Sequence, residues 1–302
     1  MPGTPATVVR VLETLGTFTP LGIRFWDPAL DAQVRDELRV RAWPDPGLRP
    51  VTAAFRTASD VYAFRGLPGL RALEMPPVSE PAASRPAGRR FVVEVEDARR
   101  RFLPAAFAVD LPLPYRGLFL VGAGAGSPGE AVPRGFLLHS APSRPCPPWL
   151  AAVRGELVEQ GGGAPAAHAV VRVLIPGEPV WHGLADAEGR FAVLLPWPTL
   201  AEGLGGSPAG SQGPLSARSW SVRVEVLYEP GRREALPGTA VPDALSVLQQ
   251  GAAGVWPVGP DGGGTAETGW DGELAYGGEL AVRTEGLARL LVSPRQSPAS
   301  PP

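Results

Sequence analysis

The sequence predicts an all-β fold built from two tandem antiparallel β-sandwich modules with little helix. The length of 302 residues favours two domains, each large enough to bury its own core. Glycine (38 residues) and proline (37) make up about a quarter of the chain. Helices tolerate few residues of either type, whereas β-proteins with many turns accommodate them. Short segments of alternating apolar and polar residues complete the pattern, without the regular strand–helix alternation of an α/β fold.

Strands are predicted where this alternation, or enrichment in β-branched and aromatic residues, lies between turn residues. In the clearest one, 221–228, Val222 and Val224 share one face while Arg223 and Glu225 take the other. That pattern is typical of a half-solvated strand in an antiparallel sheet. Helices are expected only around 242–250 and within 7–15. The candidate strands are 21–26, 38–43, 61–64, 91–96, 106–110, 118–121, 153–158, 169–175, 190–195, 220–228, 279–284 and 288–292.

Segments rich in Gly, Pro, Ala and Ser predict loops or linkers at 75–88, 122–133 and 203–214. The last nine residues have almost no apolar surface to offset the entropy of ordering, which predicts disorder. The predicted division is therefore an N-terminal extension (1–16), a first sandwich (17–121), a Gly/Pro-rich linker (122–148), a second sandwich (149–293) and a disordered tail (294–302).

The order of the predicted segments repeats along the chain. Segments 38–43, 61–64 and 91–96 follow one another in the first half as 169–175, 190–195 and 220–228 do in the second. Phe64 and Phe191 each stand shortly before an exit that contains proline. The spacing predicts two copies of one module, and a rhythm shared by all-β proteins is the alternative explanation.

Residues 154–198 contain a recognisable turn. Asp186 can cap this turn through an Asx-type hydrogen bond, Gly189 can adopt a positive φ where it closes, and Phe191 then points into the core. With these residues, the stretch resembles the carboxypeptidase-regulatory-like family of transthyretin-like β-sandwiches. The resemblance implies a transthyretin- or immunoglobulin-like module that is non-catalytic and acts as a folding aid, spacer or interaction surface. The other matching positions are Gly155, Leu157, Ala164, Pro165, 169–173 and 183–185.

A second set of short motifs spans most of the chain. Together they are similar to structural components of phage-tail-like contractile injection systems. This resemblance implies a structural subunit or adaptor of such a particle. The motifs are 23–27, 64–69, 95–97, 101–104 and 279–284.

A dinucleotide-binding turn is the first candidate for chemistry. Gly122, Gly124 and Gly126 follow the predicted strand 118–121, but their spacing is G-x-G-x-G rather than G-x-G-x-x-G. Pro128 stands where a helix should begin. The segment is therefore interpreted as an interdomain loop.

Histidines and a carboxylate near the Asp186 turn suggest a metal site, because imidazole and carboxylate are usual zinc and iron ligands. A hairpin of 169–175 with 180–185 would place His182 near Val173 and His168 close to Asp186. The two histidines would then lie apart. The sequence therefore predicts a surface contact, or none, rather than a metal site.

Nucleophilic and acid–base catalysis find little support. Cys146, the only cysteine, lies between prolines that deny it a helix N-terminus, and no G-x-S-x-G motif occurs. A single cysteine also excludes an intrachain disulfide and is compatible with a reducing compartment. Glu94, Glu96 and Glu225 lie on polar strand faces and are interpreted as solvated. We therefore predict no catalytic residue, no metal and no cofactor.

The chain has eight tryptophans. Three of them, Trp26, Trp43 and Trp220, fall in predicted strands and are assigned to the core. The others of interest lie beside Pro or Gly in loops, where they are candidate protein-contact residues, because Trp and Arg are enriched in binding hot spots. These are Trp149, Trp197, Trp256 and Trp270.

A formal net charge of −2 disfavours nucleic acid or an anionic membrane surface as a partner. The sequence has no signal-peptide pattern and no apolar run near the ~18 residues of a membrane span. This predicts a cytoplasmic protein, or one carried in a phage-tail-like particle, without direct membrane insertion.

These observations predict a non-catalytic structural or adaptor subunit of a phage-tail-like contractile injection assembly. Its partners would be other protein subunits, and self-association is left open. The alternative is a carbohydrate- or peptide-binding β-sandwich that uses the loop tryptophans.

Overall fold

A computed structural model describes residues 18–35, 38–74, 88–113, 118–119, 135–198 and 215–294. The predicted helix within 7–15 and the glycines of the 122–126 loop lie outside these residues. The strands are β1 (Leu21–Ile23), β2 (Phe25–Asp27), β3 (Ala32–Gln33), β4 (Leu38–Asp45), β5 (Thr52–Ala53), β6 (Phe55–Arg56), β7 (Tyr62–Phe64), β8 (Arg89–Asp97), β9 (Ala105–Leu111), β10 (Leu118–Phe119), β11 (Phe136–Leu137), β12 (Leu150–Glu159), β13 (Val170–Leu174), β14 (Trp181–Leu184), β15 (Arg190–Pro196), β16 (Ser219–Leu227), β17 (Gly254–Trp256), β18 (Trp270–Ala275), β19 (Glu279–Val282) and β20 (Leu290–Ser293).

Helix is sparse in the described part of the chain. A single α-helix, α1 (Ala244–Leu248), begins after Asp243, whose carboxylate accepts a hydrogen bond from the Ser246 N–H at 2.8 Å. This side chain is the N-cap of the helix, which lies within the region 242–250 where the sequence predicts one. Short 3₁₀ turns lie at Arg71–Leu73, Leu215–Ala217, Pro230–Arg232 and Pro260–Gly262. The predicted all-β fold class is confirmed. None of the described helices is long or apolar enough to cross a membrane.

The described residues between 18 and 144 form the N-terminal sandwich. One antiparallel sheet has the order β5-β4-β8-β9. The strands β10-β1-β7-β6 and β11-β2-β3 form two further sheets. Alternate residues of these strands form one core, in which Phe25, Phe64, Phe91 and Phe107 are fully buried.

Residues 135–144 were predicted to belong to the linker, but they complete this sandwich. Phe136 and Leu138 are buried in its core, and β11 pairs with β2 in parallel. The guanidinium of Arg144 forms a buried, two-point ion pair with Asp27, at 2.5 and 3.2 Å. The short strand β11 was not predicted because the neighbouring residues are rich in Gly and Pro, which is typical of a linker.

The described residues between 149 and 293 form the C-terminal sandwich. Its sheets have the orders β14-β13-β16-β18 and β15-β12-β20-β17, and β19 also pairs with β12. The predicted hairpin is present as β13 and β14, in which His182 lies opposite Arg172, one position from the expected Val173. Between the sheets lies a separate core that includes Val171, Phe191 and Val224.

The two sandwiches share one topology. The orders β5-β4-β8-β9 and β14-β13-β16-β18 correspond strand for strand, and all neighbours are antiparallel. In the facing sheets, β7-β1-β10 corresponds to β15-β12-β19, with an antiparallel pair followed by a parallel one. The segments whose order repeats in the sequence are β4, β7 and β8 in one sandwich and β13, β15 and β16 in the other. The sequence repeat therefore coincides with a repeated topology.

The sandwiches are joined by residues 234–248, which we call the junction segment. It follows β16 in the chain and lies on the outer face of the β4-β8-β9 sheet. Leu236 and Val241 of this segment pack with Trp43, Val92 and Ala106.

Three polar contacts accompany this apolar one. The Trp43 indole donates a hydrogen bond to the Pro237 carbonyl at 2.9 Å. The Ala108 N–H donates to the Asp243 carboxylate at 3.1 Å, and the Thr239 hydroxyl donates to the Glu94 carboxylate at 2.7 Å. Apolar burial and hydrogen bonds thus act together at the junction.

Candidate functional site

The Asp186 turn has the geometry expected from the sequence. The Asp186 carboxylate accepts hydrogen bonds from the backbone N–H groups of Glu188 and Arg190 at 3.0 and 2.8 Å. Gly189 has a φ of +79°, and a Cβ at this position would lie 2.3 Å from the Leu157 carbonyl oxygen. Phe191, which follows, is 1% exposed. All these contacts serve the turn and the core.

The three proposed metal-ligand candidates do not form a metal site. His168 lies beside Asp186, with its N–H 3.4 Å from the Asp186 carbonyl oxygen. His182 is exposed on β14. Among the described residues, no group of three or more His, Cys, Asp or Glu side chains could hold a metal ion.

A third histidine, His139, was not considered in the sequence analysis and lies close to His182. It follows β11 and reaches the C-terminal sandwich. Sequence reasoning missed it because residue 139 lies in the predicted linker, far along the chain from β14. Only the packing of the sandwiches brings the two histidines together.

The thiol of Cys146 has an environment unlike that of a reactive cysteine. It is half-buried and donates a hydrogen bond to the Leu150 carbonyl at 3.3 Å. Burial and the nearby Glu279 carboxylate raise its pKa, although Arg154 and Arg144 act in the opposite direction. A raised pKa reduces the thiolate that nucleophilic attack requires.

The carboxylates behave differently from the solvated faces predicted for them. Glu94 is only 9% exposed and pairs with the Arg41 guanidinium at 2.6 Å. The prediction was wrong for Glu94 because the junction segment covers the outer face of β8. Glu225 pairs with Arg172 at 3.1 Å on a partly exposed face, and Glu96 pairs with Arg39 and Arg41. These carboxylates belong to ion pairs on the sheets.

The tryptophans differ widely in exposure. Trp43 is 4% exposed, but it is buried under the junction segment rather than in the core of its sandwich. Trp26 is half-buried, and Trp220 is half-buried against the C-terminal core. Trp149 is 67% exposed, the highest value among the eight. Of the remaining candidates, Trp256 and Trp270 are half-buried and are held by hydrogen bonds to the Ser293 hydroxyl and the Arg283 carbonyl, at 2.8 and 2.9 Å.

Three aromatic rings meet at one end of the C-terminal sandwich. The ring centroids of Trp197 and Tyr276 are 4.9 Å apart, those of Trp197 and Trp220 are 5.8 Å apart, and those of Trp220 and Tyr276 are 6.4 Å apart. They come together because β15 and β18 end at this edge and β16 begins there. Trp149 precedes β12 at the same edge, and the Trp197 indole donates to the Pro148 carbonyl at 3.1 Å. We call Trp149, Trp197, Trp220 and Tyr276 the aromatic end.

A second feature is a cavity between the two sandwiches. Its volume is about 70 Å³. His139 and Phe136 line it from one sandwich, His168 and Leu184 from the other, and Val241 and Val247 from the junction segment. The other side chains that line the cavity are apolar. The junction therefore contains a small, mostly apolar cavity with two imidazoles in its wall.

Comparison with known proteins leaves the family open. No family model matches the chain, and no curated protein matches it. Among solved structures, the shaft pilin SpaA from Lactobacillus rhamnosus GG aligns at 7% identity over 94% of this chain and 100% of the pilin, with a TM-score of 0.22. Two variants of the same pilin align with TM-scores of 0.21 and 0.22. Identity and TM-score are both too low to assign the chain to a family.

Proposed function

We propose that this protein is a non-catalytic structural or adaptor subunit that binds other protein subunits through its aromatic end. The observation that carries the proposal is the 67% exposure of Trp149, which follows Pro148, whose carbonyl accepts a hydrogen bond from Trp197 of the ring cluster. Large aromatic side chains supply much of the binding energy at protein interfaces, and an indole left in water gains the most from being covered.

The assembly we propose is a phage-tail-like contractile particle. Support comes from the motifs that resemble components of such particles, including 23–27 and 279–284. The joined sandwiches also suit a structural role, because buried contacts such as those of Trp43 and Leu236 tie one sandwich to the other. A subunit that transmits force or sets spacing needs such a connection between its parts.

A pulldown from the native lysate tests this proposal. The full-length chain is expected to retain tail sheath, tube or baseplate proteins, and Trp149→Ala combined with Tyr276→Ala is expected to lose them. Leu287→Ala is the matched control, because Leu287 is a large exposed side chain (41%) outside the aromatic end. A strictly monomeric protein with no associated particle subunit would contradict the proposal.

A carbohydrate- or peptide-binding module is the second candidate. The exposed rings of Trp149 and Tyr276 favour it, because aromatic faces stack on apolar surfaces while the indole N–H and phenol groups hydrogen-bond. Tryptophan fluorescence would be quenched by a glycan or peptide, and Trp149→Ala would abolish the quenching. Quenching by a glycan together with the absence of any protein partner would favour this candidate over the first.

A further inference from the structure

The only three histidines of the chain all lie where the two sandwiches meet. His139 follows β11 in the N-terminal sandwich, while His168 and His182 belong to the C-terminal sandwich. His139 and His168 line the junction cavity. His182 is close enough to His139 for its charge to influence the pKa of His139. At about 70 Å³, the cavity has room for water rather than for an organic ligand.

The imidazole of His139 is held in a way that favours its neutral form. Its Nδ1 atom is buried and has no hydrogen-bond partner in the described part of the chain. The hydrogen bond of the ring to the backbone of His182 must therefore come from Nε2. In this tautomer the hydrogen is on Nε2 and Nδ1 carries the lone pair. A second proton would go to Nδ1, for which the described residues offer no acceptor.

No charged group described around the cavity stabilises a positive charge on His139 enough to offset its burial. Burial, followed by the positive charge of His182, lowers the pKa of His139 to about 4, against a smaller opposing effect of the bond to the His182 backbone. On the α1 side, the carboxylate of Asp243 is already engaged by the N–H groups of Ala108 and Ser246.

The pKa of His168, the other imidazole that lines the cavity, is also lowered. Burial and then the nearby Arg233 guanidinium lower its pKa, whereas Asp186 and Glu188 oppose this. Protonation of either cavity-lining imidazole is thus disfavoured while the sandwiches remain in contact.

We propose that the junction is an acid-sensitive contact, in which protonation of His139 at Nδ1 releases the junction segment and the two sandwiches from one another. When the contact opens, water can solvate the imidazolium that the closed junction cannot accommodate. The contact that protonation breaks is thus one between two parts of the same chain. This regulation does not depend on which protein binds the aromatic end.

The pH range follows from the sign of the shift. The histidine has an ordinary value of 6.5 when the junction is open and about 4 when it is closed. The open form therefore binds the proton more tightly, and the closed junction is fully favoured above pH 6.5 and loses that advantage as the pH falls toward 4. Between pH 7 and pH 5 these values shift the equilibrium toward the open form by about twentyfold.

Hydrogen exchange tests the proposal on the full-length chain. After correction for intrinsic rates, amides of the junction segment are expected to exchange about twentyfold faster at pH 5 than at pH 7, while those of β12 and β16 stay protected. His139→Gln keeps an N–H donor but cannot be protonated, so it is expected to remove most of the acceleration and to leave only what His168 contributes. Leu287→Ala, at an exposed position that does not line the cavity, is the control and is expected to retain the acceleration.

An NMR titration of the three imidazoles tests the proposal without relying on the variant folding. The His139 resonance is expected to titrate well below 6.5 in the closed protein. Titration of His139 at about 6.5, or equal acceleration of junction exchange in His139→Gln and the wild type, would overturn the proposal.

Discussion

Gly189 is the residue at which backbone conformation and packing act together. Its φ of +79° is costly for any residue with a Cβ, and that Cβ would lie 2.3 Å from the Leu157 carbonyl oxygen. We expect Gly189→Ala to lower the free energy of unfolding by about 3 kcal/mol, because the strand β12 must also shift. Urea unfolding followed by tryptophan fluorescence measures this loss.

Gly177→Ala is the control, because Gly177 has a φ of +85° but no atom within 4 Å of the added Cβ. It should show the conformational cost alone, about 1 kcal/mol. Equal losses for the two variants would mean that the contact with Leu157 contributes nothing.

The buried pair of Asp27 and Arg144 is the second residue-scale constraint. Their side chains are 6% and 9% exposed, and Arg144 also donates to the Ser140 hydroxyl at 3.0 Å. Arg144→Met is expected to cost about 3–5 kcal/mol, because it leaves the Asp27 carboxylate buried without its counter-ion. Arg39→Met, at an exposed pair with Glu96, should cost less than about 1 kcal/mol in the same denaturation experiment. Similar losses would contradict the role given to burial.

At the scale of elements, helix α1 depends on the N-terminal sandwich. Asp243 caps the helix with one carboxylate oxygen and accepts the Ala108 N–H of β9 with the other. Asp243→Ala is expected to cost about 2–4 kcal/mol, the sum of a lost cap and an unsatisfied backbone N–H. Asp243→Asn keeps one acceptor oxygen and should fall between this variant and the wild type.

Thermal unfolding of these variants, compared with Asp261→Ala in an exposed 3₁₀ turn, measures the effect. Equal destabilisation of Asp243→Asn and Asp243→Ala would mean that the one oxygen retained by Asn contributes nothing to stability.

At the scale of the whole molecule, the junction couples two sandwiches that have separate cores. Leu236 is 5% exposed and packs in the cluster with Trp43 and Val92. We expect the wild type to unfold in one calorimetric transition and Leu236→Asp to unfold in two, because a buried charge breaks the contact but not the cores. Leu287→Asp, at an exposed position, should keep the single transition. Two transitions in the wild type would show that the sandwiches are already independent.

The sequence was sufficient where a local pattern decides the structure. The alternation in β16, the Asp186 turn and the helix around 242–250 each depend on residues close together in the chain, so they could be predicted. Strand β18 was missed because Gly272 interrupts its apolar face. A Cβ at this position would lie 2.3 Å from the Trp270 ring, so the ring would have to move, and no local pattern reveals this contact.

By itself, the sequence determined the all-β class, most strands and the repeated order of segments, because the period of two and the turn residues are local properties of the chain. Tertiary structure alone decided which faces are covered. Glu94 became buried because the junction segment lies over β8. His139 lies close to His182 of the other sandwich. Trp220 is half-buried, packs against the C-terminal core and also contacts the rings of the aromatic end. These outcomes depend on contacts between residues far apart in sequence, whose geometry is fixed only when the two sandwiches pack together.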